Sequence, residues 1–129
     1  MKNLTLLCYF LLFLVACKGS SVDDPNSLNG QWVEATGRGD TLIFRDNQTS
    51  LLEIKRGYVM LNGYRLPRAG SGLWQYKLLK DYKMEVQNTL SSLYAPTTSH
   101  IELKDKILYV SNFYEAENKS LELRSFNKK

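Results

Sequence analysis

Cysteine is nearly missing from this chain: there are two among 129 residues, Cys8 and Cys17. That excludes a disulfide scaffold and a Cys-rich metal framework. His100 is the only histidine, so a His-metal cluster and a relay of two imidazoles are excluded as well. No Gly-rich phosphate loop, Cys-x-x-Cys pair, His-x-x-x-His motif or nucleophile elbow occurs. Charge of one sign is also scarce. Lys and Arg number 17 against 13 Asp and Glu, a net of +4, and no run of five like charges exists. This is no footprint for nucleic acid. The apolar fraction of 43% and charged fraction of 23% are those of an ordinary globular domain. The length allows one core.

One long apolar run is present, Leu4 to Ala16. As a helix it would span about 20 Å, short of the roughly 30 Å of a bilayer core. With Lys2 before it, the run reads as the apolar region of an export signal. It ends in Leu14-Val15-Ala16-Cys17.

That tetrad resembles the lipobox of bacterial lipoproteins. The resemblance implies lipidation of the Cys17 sulfur, cleavage after Ala16 and acylation of the new amino terminus with palmitate-like chains. A thiolate is a good nucleophile for such a transfer. Several acyl chains anchor stably where one does not. The organisation expected is therefore a signal over 1–16, the lipidated Cys17 and a flexible tether over 17–27, and one domain over 28–129. The mature chain keeps 16 basic and 13 acidic residues, a net of +3. Lys18 in place of Asp after Cys17 implies, by resemblance to proteobacterial sorting, the outer membrane of the cell envelope.

From Leu28 onward apolar and polar residues alternate with period two between turn residues. Nine candidate strands follow: 31–36, 41–45, 50–55, 58–61, 73–79, 82–87, 99–104, 107–111 and 121–126. Asn62-Gly63 is a strong hairpin signal. Leu66–Gly72, with Pro67 and two glycines, reads as a loop. Asp40, Asp46, Asp81 and Asp105 read as turn residues. The pattern predicts an all-β domain, an antiparallel meander of eight or nine short strands closed into a barrel, because closure removes exposed edges. The inner face is predicted to hold Leu42, Phe44, Leu52, Ile54, Trp74, Tyr76, Leu78, Tyr82, Met84, Val86, Ile101, Leu103, Leu108, Val110, Leu121 and Leu123.

Leu28-Asn29-Gly30-Gln31-Trp32 looks like the Gly-x-Trp opening of lipocalin-like barrels. Asp40–Phe44 and Ser111-Asn112-Phe113-Tyr114 resemble the second strand and the exit of the penultimate strand in small lipocalin-like lipoproteins common in Bacteroidetes. The resemblance covers Leu28–Phe126. It implies that Trp32 closes the barrel bottom with Arg124 of the last strand packed across it. An eight-stranded barrel is just wide enough to be filled by its own side chains or to hold one small ligand.

No catalytic residue set, metal site or cofactor is expected. Ser99 and His100 are adjacent on one strand and so point to opposite faces. Aromatics are mildly enriched, and 12 of them follow the signal. Trp74, Tyr76 and Tyr82 fall on inward positions and could line a cup for a small apolar or amphiphilic ligand at the barrel mouth. The alternative is a filled barrel that acts through its loops on an envelope protein, as an inhibitor or accessory subunit. Tyr58, Tyr64 and their neighbours Arg65 and Arg68 have the composition of such a contact surface.

Overall fold

The computed structural model describes Val22, Asp24–Arg45, Ser50–Leu90, Ala95–Tyr114 and Lys119–Phe126. Cys17 and the export signal lie outside the described residues. Ten strands follow a short 3-10 turn at Pro25–Leu28. They are β1 Gly30–Glu34, β2 Thr41–Arg45, β3 Leu51–Lys55, β4 Tyr58–Leu61, β5 Tyr64–Pro67, β6 Gly72–Leu79, β7 Lys83–Asn88, β8 Thr97–Lys104, β9 Ile107–Tyr114 and β10 Lys119–Ser125.

Eight of them close a barrel in the order β1-β10-β9-β8-β7-β6-β3-β2, while β4 and β5 form a separate two-stranded sheet. The barrel pairings are antiparallel throughout. The all-β antiparallel barrel expected from the alternation is therefore the fold. Closure rests on β1 meeting β10, with Trp32 opposite Ser125 and Glu34 opposite Leu123. Backbone bonds at each end of that seam extend it: Ala35 N–H donates to Glu122 O at 2.8 Å and Phe126 N–H to Gln31 O at 2.8 Å.

The interior is filled by side chains. Leu28, Leu42, Phe44, Leu52, Met84, Ile101, Leu108, Val110, Leu121 and Leu123 are all essentially inaccessible. They come from both halves of the sequence, because alternate residues of every strand face one core. Phe44 and Tyr76 meet edge to face, centroids 5.1 Å apart. Val22 belongs to the same core. Asp24 caps the 3-10 turn by accepting from Asn26 N–H at 2.9 Å. Within the stretch read as a tether, then, Val22 is buried in the barrel core, while Asp24 and Asn26 are exposed. Among the described residues the core runs from Val22 to Leu123.

Two sequence expectations need correction, and one feature lay outside them. Leu66–Gly72 is not all loop, since Leu66 and Pro67 finish β5. Proline is tolerated there because it ends a strand that has a free edge. Tyr82 is not on the inner face: Asp81 and Tyr82 both have positive φ, 61° and 58°, so the β6–β7 turn rotates Tyr82 outward. It stacks on His100 at the surface, centroids 5.6 Å apart. Phe113 and Tyr114 are both buried although adjacent. Asn112, at φ 53°, breaks the alternation just before them.

Candidate functional site

The two ends of the barrel differ. At one end the chain enters through the 3-10 turn, and short turns join β6 to β7 and β8 to β9. Trp32 seals this end. Its indole Nε1–H donates to Leu28 O at 2.7 Å, and both residues are buried. Arg124 lies next to it in sequence register but is exposed, because β10 turns Leu121 and Leu123 inward and Glu122 and Arg124 outward. Trp32 and Arg124 border one open hollow of about 360 Å³ with Leu103 and the Asp105–Ile107 turn. The cation–π contacts among the described residues are elsewhere, Arg56 on Tyr114 and Arg65 on Tyr58.

The opposite end is where a ligand would enter, and it is plugged by charge. Asp40 and Arg56 are buried, 1% and 5% exposed, with Arg56 Nε 3.5 Å from Asp40 Oδ1. Lys119 Nζ donates to Asp40 Oδ2 at 2.8 Å and sits 3.4 Å from Glu34 Oε1. The Arg56 guanidinium lies over the Tyr114 ring, 3.7 Å from its centroid. Two acids and two bases thus cancel inside the rim. Burial of such a set is tolerable only when each charge has a partner. Gly70 is required beside it. Its φ is +85°, and an added Cβ would stand 3.4 Å from the Arg56 side chain and 3.5 Å from Tyr114.

This plug also fixes what emerges above it. Arg56 Nη1–H donates to Ala69 O at 2.7 Å and its backbone N–H to Ser71 Oγ at 3.2 Å. Arg68 N–H donates to Gly57 O at 3.0 Å, closing the root of the β4–β5 hairpin. The hairpin turns through Asn62 and Gly63, both at positive φ, 50° and 82°, the geometry expected of an Asn-Gly turn. Its residues are exposed along both strands. Met60 and Tyr64 are 68% and 72% exposed, and Tyr58, Val59, Leu61 and Leu66 are exposed too. Arg65 lies over the Tyr58 ring at 4.2 Å. An open hollow of about 370 Å³ runs along the hairpin root, between Tyr58, Pro67 and Leu73.

The three aromatics expected to line a cup do not converge. Tyr76 is buried in the core against Phe44. Trp74 is half-buried, donates to Gly70 O at 3.2 Å, and borders an open hollow of about 320 Å³ with Ser71, Asn88, Ala95 and Thr97. Tyr82 is at the other end of β6, outside the barrel. Asp40, read from sequence as a turn residue, is instead the anion at the centre of the plug. Its partner Lys119 is 79 residues away, so no local pattern announces the pair. The hairpin did leave a signal. No Asp or Glu occurs between Lys55 and Lys80, while Arg65, Arg68 and Lys77 lie inside that stretch.

Two titrating groups tie this interior to pH. The hydrogen bond to Asp40 holds the Lys119 amine above its ordinary 10.5. Burial pushes the Tyr76 phenol above its ordinary 10.0. Each group binds its proton more tightly in the folded chain than in the unfolded one. The stability they contribute is complete below their unfolded values and is lost as pH rises through the folded ones. The thermal midpoint is expected to be flat from about pH 7 to about 9 and to fall above about 10. The Tyr76 hydroxyl has no hydrogen-bond partner among the described residues. Tyr76→Phe should therefore raise stability by about 1 kcal/mol and make the alkaline fall shallower. A loss of stability in that variant would mean the hydroxyl is satisfied.

Comparison with known protein families, with curated proteins and with solved structures gives no match. The class is defined by the geometry alone: a filled eight-stranded antiparallel barrel, sealed at one end by Trp32 and at the other by an ion cluster, with a projecting apolar hairpin.

Proposed function

We propose that this chain is a lipid-anchored protein of the bacterial cell envelope, held through Cys17, whose barrel serves as a rigid interaction module and not as a container. The observation that carries this reading is the filled interior. Ten large side chains from the 3-10 turn and six strands occupy the space a ligand would need, and the rim above them is closed by Asp40, Arg56 and Lys119. Ligand pockets of other proteins bury most of a molecule in about 300–1,000 Å³. Hollows of about 370 Å³ formed here by described residues are open grooves on the surface. The module acts through what it displays, as an inhibitor or an accessory subunit of an envelope complex.

Binding of an apolar or amphiphilic molecule at the rim is the competing reading, and one preparation tests both. The lipidated chain is purified from its native membranes and weighed intact under native conditions. The expected mass is that of the acylated chain alone. A co-purifying small molecule that protects Trp74 fluorescence from quenching overturns the interaction reading. For the anchor, Cys17→Ala should move the chain from the membrane fraction to the soluble one; a variant that stays membrane-bound refutes lipidation at Cys17.

A further inference from the structure

We infer that the β4–β5 hairpin is the docking element of this module, and that its partner is a protein offering an unpaired strand edge beside an apolar surface bordered by carboxylates. The inference rests on reading the barrel as an interaction module.

Apolar side chains cover both faces of the hairpin. The register puts Tyr58 and Met60 on one face with Pro67 and Arg65, and Val59 and Leu61 on the other with Leu66 and Tyr64. Single exposed apolar residues are ordinary, but a contiguous two-sided patch is not. Tyrosine, methionine and arginine are the residues enriched where interfaces bury their centre. The patch is also pre-set. The Asn62-Gly63 turn, the Arg65–Tyr58 stack and the Arg56 latch at the root hold it in one shape. A rigid element loses less freedom on binding.

The backbone favours a protein over a lipid. Among the described residues β4 and β5 pair only with each other, so each has an outer edge without a strand partner there. A bilayer core offers those groups nothing to bond. A strand added from another protein satisfies them. The 3-10 turn enters the barrel at the end sealed by Trp32, and the hairpin leaves from the other.

Charge selects the partner. Arg65 and Arg68 are exposed on the hairpin and at its root, with no acid from Lys55 to Lys80, and Lys55 beside them is paired to Glu53 at 3.4 Å. Two copies docked hairpin to hairpin would bring Arg65 and Arg68 of each together, with no carboxylate on either hairpin to offset them. A rim of Asp and Glu on a different protein complements the set.

The test uses the full chain in its native cells, with a photoreactive benzoylphenylalanine placed at Met60, at Tyr64, or at Lys104 on the opposite end. Irradiation should give one discrete protein adduct from Met60 and Tyr64 and none from Lys104. The cross-linked peptide should map to a strand edge flanked by acids. The purified partner should then bind the purified chain with an affinity that falls as salt rises. The double variant R65E/R68E should lower that affinity at least tenfold while leaving the thermal midpoint unchanged. An adduct of twice the chain mass, adducts with lipid only, or a neutral partner surface overturns the inference. Adducts from Lys104 alone remove the hairpin but leave the interaction module standing. No protein adduct from any position removes both.

Discussion

Asp40→Ala is expected to lower folding stability by about 3–5 kcal/mol, the cost of leaving a buried charge without its counter-ion. Asp40 forms an ion pair with the buried Arg56 and also accepts from Lys119. Removing it leaves a guanidinium in the barrel rim beside an ammonium. Lys119 can still turn to Glu34, 3.4 Å away, and rise toward water. Arg56 is pinned by Ala69 and the Tyr114 ring and cannot follow. The double variant D40N/R56M should recover much of the loss, because replacing both partners removes the unpaired charge instead of creating one. Urea unfolding of the two variants measures this. If the double variant is no more stable than the single one, the plug is not held by that ion pair.

Phe44→Ala should cost about 3–5 kcal/mol as well, by a different route. Phe44 is 2% exposed and packs edge to face on Tyr76. The variant loses the transfer free energy of the ring and leaves a void between strands that cannot all close on it. A void lined by Leu52, Tyr76 and their core neighbours would be apolar and dry. Such engineered cavities take up small aromatic molecules. The parent chain should show no thermal shift with benzene, and the variant should show one. Equal shifts in both would mean that the parent interior is not filled.

The residues that reported the fold were those whose side-chain direction depends only on strand parity. Leu42 and Phe44, Leu52 and Ile54, Met84 and Val86, and Leu108 and Val110 are all buried as the alternation requires. Parity failed where the backbone takes positive φ. Tyr82 and Asn112 are such points, and neither Tyr nor Asn announces by type alone that the strand has stopped counting there. It failed also where apolar residues alternate against nothing. β4, read as one more strand of the meander, lies outside the barrel and is exposed on both faces, because its neighbours in the barrel pair without it. The site was less legible than the fold for a simple reason. Asp40, Arg56, Gly70, Tyr114 and Lys119 come from five separate stretches, and only closure of the barrel brings them together.

The seating of β3 directly against β6 carries one more consequence. The meander is complete without the hairpin, and the two residues flanking it, Gly57 and Arg68, already touch through a backbone hydrogen bond. The excursion is thus grafted onto a scaffold that does not depend on it. Mutations accumulating from Tyr58 to Pro67 change what is displayed at no cost to the core, and mutations in the core are invisible to whatever is gripped. Stability and specificity can drift independently in this chain, so its descendants could keep one barrel and exchange partners.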